Sequence, residues 1–509
     1  MEADSDPGQA RLGSSSDHDS ETAGRDTSVG SLTVSRPETS LERRWLLDDE
    51  LVFRGNVVQF LTEGAEYFEQ WFYGLQRVAA SPQPPRRLMH AAWRLSEVSR
   101  LGRLSQSPRV SQHLREMGAR DVDIRIWVSG AAWGLIALNL PLAWRLSRTR
   151  GLEAFIDLTS RTRVQSSHQK LSIFQAGEDV WALLGSVDLA PTRFERSHGR
   201  VDPRRYKSHR GPSHDTGVKI LGPAAHELKR RFAQRWSKLC VIPGRRNIRQ
   251  LSRCTPLEAG PVLPDPIDTP GSAIQILETI PSGSDLPLPP ADTLARGYLK
   301  ALKAATKFIY IEDQYFTPDL RDTQLGEQVI DQTMNLLPAL EDALSKGVYV
   351  VVLLPTLTRL WTIDRLTQIR RDAALSKLKS HPRAADRLIL LRYSLPLHPV
   401  YVHSKLLLCD DVFLLLGSAN VNRRGLMSDY EISTSILDPL VVREVRVRLW
   451  TEHAGTRPTS RGFDFGEASQ AIESLRESPQ LTPYEPQPTR KTLGGIGTWL
   501  VDHFIDPPR

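Results

Sequence analysis

Residues 401–431, YVHSKLLLCDDVFLLLGSANVNRRGLMSDYE, decide how the rest of this 509-residue chain is read. Val400, Val402 and Leu406 to Leu408 are apolar, which predicts a buried strand. Side chains alternate between the faces of a strand, so His403 and Lys405 point the same way. An imidazole beside a fixed ammonium suits an anion of phosphate size. A second apolar run, Val412 to Leu416, predicts a partner strand ending in GSANVN. If the extended conformation continues, Ser418 and Asn420 bring short polar groups to the same space. Asp410 has the opposite parity and reads as a structural residue that fixes the turn between the strands.

The same pattern occurs earlier, in TRVQSSHQKLSIFQAGEDVWALLGSVDLAPTRFE, residues 162–195. His168 and Lys170 repeat the pair ahead of an alternating apolar run. Val180 to Leu184 then leads into Gly185-Ser186-x-Asp188, which echoes Gly417-Ser418-x-Asn420. The two histidines are 235 residues apart, a distance that implies a duplicated domain. The segments after the two copies also correspond. Residues 214–238 and 429–453 both predict a strand, a turn (Gly222-Pro223 or Pro439) and a helix. The expected fold is therefore α/β, with two pseudo-symmetric halves, each a mixed sheet flanked by helices, and an active site where they meet.

Composition sets the boundaries. Residues 1–40 hold eight acidic residues against three arginines, a net of −5, while the whole chain carries +7, leaving +12 for the remainder. Residues 1–43 are polar and acidic and predict a disordered tail. The first half is placed at 44–240, a Pro- and Arg-rich linker at 241–272, the second half at 273–455, and a Pro-rich extension at 456–509, whose stretch 494–505 (GGIGTWLVDHFI) predicts an apolar patch. A basic helix is predicted over 359–379 and reads as a solvated face. Ile126 to Trp144 is uncharged over 19 residues, but Ser129, Gly130, Gly134, Asn139 and Pro141 favour a strand entering a core helix over a membrane span. Cys240, Cys254 and Cys409 have no metal-ligand spacing, and so sparse a set argues against a disulfide framework. No secretory signal is visible, so the expected location is cytoplasmic or peripheral to a membrane, with unconventional export left open.

His403, Lys405, Asp410, Gly417, Ser418 and Asn420, in this order and spacing, resemble the signature of the phospholipase D superfamily. SSHQK, GSVDL followed by RFE, GPAAHELKRRFAQRW and IEDQYF look most like its bacterial phospholipase D/transphosphatidylase branch. Gln175 stands where the first motif of the family has Asp, which puts that half's activity in question.

Two imidazoles at one phosphate suffice for a metal-free phosphodiesterase, so no cofactor and no metal are expected. One histidine attacks phosphorus and the other donates to the leaving alkoxide. The resemblance implies that His168 is the nucleophile and His403 the acid and base. Lys170 and Lys405, with Ser186, Asp188, Ser418 and Asn420, are the candidates to hold phosphate oxygens. Glu431 follows His403 by 28 residues and Glu195 follows His168 by 27, which makes these acids the candidates to orient the rings. The expected function is hydrolysis of a glycerophospholipid such as phosphatidylcholine at a membrane surface, with transphosphatidylation open. A cardiolipin synthase-like transferase, a nuclease or other phosphodiesterase, and a non-catalytic lipid-binding scaffold are the alternatives. Basic and aromatic residues are not interleaved as a nucleic-acid groove would need. With both motifs in one chain, a monomer is sufficient for the active site.

Overall fold

A computed structural model describes residues 37–96, 98–100, 108–130, 133–158, 165–195, 212–241, 254–263, 270–282, 286–320, 334–355, 362–393, 400–455 and 468–487. The first half supplies β1 (Phe53–Thr62), β2 (Arg86–Ala92), β3 (Asp123–Ser129), β4 (Leu152–Asp157), β5 (Leu171–Ala176), β6 (Asp179–Gly185), the short β7 (Ser213–His214) and β8 (Thr216–Leu221). The second supplies β9 (Ser272–Ile280), β10 (Ala291–Asp292), β11 (Phe308–Asp313), β12 (Tyr349–Leu354), β13 (Leu388–Tyr393), the short β14 (Tyr401–Val402), β15 (Lys405–Cys409), β16 (Phe413–Gly417) and β17 (Glu431–Leu437). A last strand, β18 (Leu481–Pro483), comes from the C-terminal segment.

The duplication is visible strand by strand. One half is ordered β1-β8-β6-β5-β2-β3-β4 and the other β9-β17-β16-β15-β11-β12-β13. In both, the first four pairings are antiparallel and the last two parallel. Antiparallel pairing of β1 with β9 joins the halves into one continuous sheet. The parallel pairs need crossovers, which helices such as Val110–Ala119 and Trp133–Leu146 provide.

Each half buries its sheet on two sides. In the first half, Phe68, Trp71 and Leu75 from the helix Glu63–Ala80 pack against Leu88, Phe174 and Leu183. In the second, Tyr298, Leu340 and Leu344 pack against Ile309, Val350 and Leu407. A third cluster is shared: Phe232 and Trp236 of the helix Pro223–Val241 and Leu449 and Trp450 of the helix Pro439–Ala454 belong to one core with residues of both sheets. That shared core forms the apolar part of the interface between the halves.

Several boundaries differ from the sequence reading. Residues 1–36 of the predicted tail lie outside the described residues, but 37–43 are ordered. Thr39 caps the helix Ser40–Trp45, accepting from Glu42 N while its own N–H donates to Glu42. Trp45 then stacks on Phe413 of the second half at 5.5 Å, while Glu42 pairs with Arg54 of β1 in the first, so this helix touches both halves. In the predicted linker, residues 254–263 are fastened to the first half: Thr255 and Leu257 bond Trp236 and Ser237, and Cys240 forms a disulfide with Cys254. The expectation of no disulfide framework thus gives way to one bridge, while Cys409 is buried and free. In the C-terminal extension, β18 pairs with β13, and the patch at 494–505 lies outside the described residues.

The basic helix runs over Thr362–Lys379, and part of its charge is internal. Arg371 is buried with its guanidinium 5.1 Å from the Tyr484 ring, because that ring covers it. Ile126–Trp144 contributes the end of β3 and most of a helix whose Asn139 donates to the carbonyls of Trp93 and Ser129. Among the described residues no helix is long and apolar enough to cross a membrane.

Candidate active site

Both H-x-K segments lie against the other half. Ser167 bridges to Tyr430 in parallel, with His168 N–H donating to Tyr430 O at 2.9 Å. In the mirror arrangement β14 runs parallel to β7, and His403 N–H donates to His214 O at 2.8 Å. Each histidine is therefore brought to the residue just before an acid of the opposite half. His168 Nδ1 lies 2.8 Å from Glu431 Oε1, and His403 Nδ1 lies 2.7 Å from Asp215 Oδ1.

This crossing corrects the sequence assignment. Glu431 serves the ring of the first half, not His403. Glu195 is buried, with its main-chain carbonyl accepting from Ala65, but the acid on the Nδ1 of His168 is Glu431. Asp215 is the acid that sequence reasoning missed. Counting residues failed because Ser186 and Asp215 are 29 positions apart, whereas Ser418 and Glu431 are 13 apart. The usable signal was the alignment of HDTGVKILGP with YEISTSILDP, which sets Asp215 over Glu431.

The two glycine-serine pairs hold these acids. A Cβ on Gly417 would lie 2.2 Å from Ser433 Oγ, and one on Gly185 would lie 2.4 Å from Thr216 O, so only glycine lets the neighbouring strand approach. Ser186 Oγ then donates to Asp215 Oδ1 at 2.8 Å, and Ser418 Oγ to Glu431 Oε2 at 2.5 Å. The serines, expected at the phosphate, orient the carboxylates instead. Asp188 also departs from its expected role. It accepts from Arg94 N and stands 3.6 Å from Lys170 Nζ. As a carboxylate it offers phosphate no proton and acts as the counter-ion of Lys170.

Lys170 Nζ donates to His168 O at 3.1 Å, and Lys405 Nζ to His403 O at 2.6 Å and to Gln314 Oε1 at 3.0 Å. Both lysines are buried, and the charge of Lys170 is close enough to act on Lys405. Burial, and then Lys170, push the Lys405 ammonium below its ordinary range. Asn420 is buried, and its Oδ1 has no hydrogen-bond partner among the described residues.

Burial is also the largest force on His168, followed by the charges of Lys170 and Lys405, and together they hold it well below the ordinary imidazole range. Burial pushes the Glu431 carboxyl up, with Lys170, Lys405 and the Ser418 hydroxyl pulling the other way. The proton's position is set by a third contact. His168 Nδ1 is 3.1 Å from the main-chain carbonyl of Ser418, which can only accept, so Nδ1 carries the hydrogen. A neutral ring protonated at Nδ1 has its lone pair on Nε2.

The two remaining motif positions are structural. Asp410 and Asp411, both at positive φ (56° and 57°), form the turn between β15 and β16. The Asp410 carboxylate accepts from Thr306, Lys307 and Phe308 and fixes the start of β11. In the first half the hairpin turns two residues later in register, at Gly177, and Gln175 sits within β5, donating to Gly177 O.

Behind Asp215 lies a cluster assembled from segments far apart in the chain. His214 contacts Glu63 through Nδ1 and Glu312 Oε2 through Nε2 at 2.9 Å. Glu312 also takes His453 Nε2 at 2.8 Å and the Tyr310 hydroxyl. His214, Glu312 and His453 are close enough together to surround a cation. Each nitrogen of His214 already faces a carboxylate, however, and an imidazole protonated on both nitrogens has no lone pair for a metal.

Fold and site together define a class: a duplicated α/β protein whose two H-x-K histidines are each oriented by an acid of the opposite half. The family described as "Cardiolipin synthase, PLD-like domain" matches residues 298–451. Phospholipase D alpha 4 of Arabidopsis thaliana is 27% identical over 400 residues, covering 63% of this chain and 50% of the relative. Cardiolipin synthase A of Pseudomonas entomophila is 28% identical over 244 residues, covering 48% of this chain and 41% of the relative. The chain spans half or less of the length of these curated relatives. The crystal structure of phosphatidylserine synthase from Haemophilus influenzae shares the fold, with a TM-score of 0.51 over 84% of this chain and 88% of that one at 12% identity. The chain is thus similar to phospholipases D and cardiolipin synthases of the phospholipase D superfamily.

Proposed function

We propose that the protein is a phospholipase D-type phosphodiesterase of the bacterial phospholipase D/transphosphatidylase kind, acting on glycerophospholipids through a phosphohistidine. The observation that carries this reading is the crossed pair of histidine–carboxylate contacts. Each acid takes the Nδ1 of its ring, which leaves Nε2 as the nitrogen for chemistry at phosphorus. His168, held neutral, attacks phosphorus with the Nε2 lone pair. His403 gives its Nε2 proton to the departing alcohol oxygen as the P–O bond breaks. Water or an alcohol then returns a proton to His403 and attacks the phosphohistidine, releasing phosphatidate or a new phosphatidyl ester. Lys170 and Lys405 hold the oxygens on which charge builds, and Asn420 binds the phosphate already in the substrate complex.

A cardiolipin synthase-like phosphatidyltransferase is the second reading, favoured by the family match over residues 298–451. The two differ only in the acceptor. Product analysis tests both: phosphatidylcholine vesicles with and without ethanol, and phosphatidylglycerol vesicles, each with wild type, His168→Ala and His403→Ala. Phosphatidate and phosphatidylethanol that both variants abolish support the phospholipase reading. Cardiolipin as the main product supports the transferase. No turnover of any phosphodiester overturns both.

A further inference from the structure

The two halves match in strand order but not in charge behind the site. β11 pairs with β15 as β2 pairs with β5, which sets Glu312 and Asp313 at the places of Ala91 and Ala92. The residue before each orienting acid also differs. On the His168 side it is Tyr430, with the Arg235 guanidinium 3.9 Å over its ring. On the His403 side it is His214, set between Glu63 and Glu312. Behind Glu431 the arginines are paired, Arg235 with Asp157 and Arg424 with Asp429, whereas behind Asp215 a histidine stands between carboxylates.

We propose that His214, clamped by Glu63 and Glu312, is a positioning residue that fixes Asp215 against His403, and that the surplus carboxylate of this buried cluster keeps His403 protonated for release of the alcohol. The role given to His403 rests on the phosphodiesterase reading. Three contacts tie the clamp to the site. The carbonyl of His214 accepts from both His403 N and Ser404 N, and Glu63 N donates to Asp215 O at 2.8 Å. Glu63 adopts φ 67°, a left-handed conformation that a residue with a side chain holds only when its surroundings demand it. Glu63 and His214 come from the first half, and Glu312 and His453 from the second, so the clamp also bolts the halves together behind the site.

Asp215 lies against the His403 ring and His168 is close enough to interact with it, while Lys405, two residues on, is acted on by Lys170, Asp313, Asp215 and Arg193. Behind Asp215 stand Glu63, Glu312 and Glu452, with His214 and His453 between them. Burial alone would lower the His214 imidazole, but Glu312 and Glu63 outweigh it and raise it well above the ordinary range. With Glu63, Glu312 and Glu452 beside His214 and His453, the cluster holds more carboxyl groups than imidazoles.

The test is the titration of His403 in the full chain, followed by NMR on protein carrying 13C-labelled histidine, with His403→Gln to assign the signal. Glu63→Gln, which keeps the shape and removes a charge, is expected to lower the His403 pKa by on the order of one unit. A merely structural role would lower the melting temperature and leave the titration of the folded protein in place, and that result overturns the clamp. One equivalent of zinc in the purified protein, lost in His453→Gln, would also overturn it. A kinetic arm compares phosphatidylcholine with phosphatidyl-p-nitrophenol, whose leaving group needs no proton. Glu63→Gln is expected to slow release of choline about tenfold and of p-nitrophenol less than twofold. If the titration shifts and wild type turns over neither lipid, the clamp stands and the phosphodiesterase reading falls. If wild type turns over the lipids and the titration does not move, the phosphodiesterase reading stands and the clamp falls.

Discussion

His168 takes its carboxylate from Glu431, 263 residues away in the opposite half of the chain, and His403 takes its own from Asp215 in the same crossed sense. Neither half therefore contains an oriented imidazole by itself. The shared core and the β1–β9 pairing hold the interface, and the interface makes the site.

The first prediction concerns these acids. Replacing Asp215 with Asn or Glu431 with Gln keeps the side-chain size but removes the carboxyl group that holds each ring at Nδ1. Where an orienting acid was neutralised in a Ser–His–Asp enzyme the cost was about 10⁴ in kcat. A loss of about 10² to 10⁴ in kcat, with KM changed less than about threefold, is expected for each variant in steady-state assays on phosphatidylcholine. A KM effect without a kcat effect would place these acids at the lipid and not at the imidazoles.

The serines and Asn420 separate by the same logic. Ser418 donates to Glu431, so Ser418→Ala removes one hydrogen bond from an orienting group. That contact contributes on the order of 1 kcal/mol, which predicts a kcat loss of about fivefold. Asn420→Ala removes a buried amide whose NH2 the proposed reading sets on the substrate phosphate, so its effect is expected in KM. Kinetics of the two single variants show whether the split exists, and equal effects on both constants would refute it.

How much of this was legible beforehand depends on the kind of contact. The two H-x-K strands, the duplication and the helix after each second hairpin were readable because period-2 and period-3.6 patterns are local. Asp410 was readable too, since its parity set it apart from the histidine and lysine. The partners of the rings were not. Glu195 lies at nearly the same offset from its motif as Glu431, and the tertiary pairing at β7 and β14 shows that Asp215, aligned with Glu431, is the acid on His403. Ser186 and Ser418 misled for a related reason. Strand parity gives the face of a side chain but not what lies across it. The His214 cluster draws on four separate segments, so no pattern in any one of them announces it.

Stability against pH depends on the buried imidazoles. Burial holds His90 at about 3 and keeps His168 well below its ordinary value of 6.5. Both are neutral when folded and take up protons when unfolded, so their contribution is full above about pH 6.5 and is lost as pH falls toward the folded values. His214 has the opposite sign: raised when folded, it contributes fully below its unfolded value and loses that contribution as pH rises through the folded one. The expected profile of melting temperature falls on the acid side of about pH 6.5. His90→Gln is expected to make that acid slope shallower, and an unchanged slope would show that His90 does not drive it.

The last prediction tests Asp410, which the family signature shares but the chemistry does not use. Its carboxylate accepts four hydrogen bonds, from Thr306 N, Thr306 Oγ1, Lys307 N and Phe308 N, at 2.8 to 2.9 Å. It also stands at φ 56°, where Asn and Gly are tolerated and Ala is strained. Three substitutions pull these effects apart. Asp410→Asn keeps the backbone preference and one acceptor oxygen. Asp410→Gly relieves the backbone and loses every bond, and Asp410→Ala loses the bonds and adds strain. Bonds to a charged acceptor contribute about 1.5 to 3 kcal/mol each when buried, shared here over one side chain, and the left-handed penalty adds about 1 kcal/mol. Urea unfolding is therefore expected to rank the variants Asn, Gly, Ala in order of increasing loss, with Ala down by about 3 kcal/mol or more. Equal losses for Gly and Ala would mean the turn carries no backbone strain. A neutral Asn would mean that one oxygen suffices to hold the start of β11.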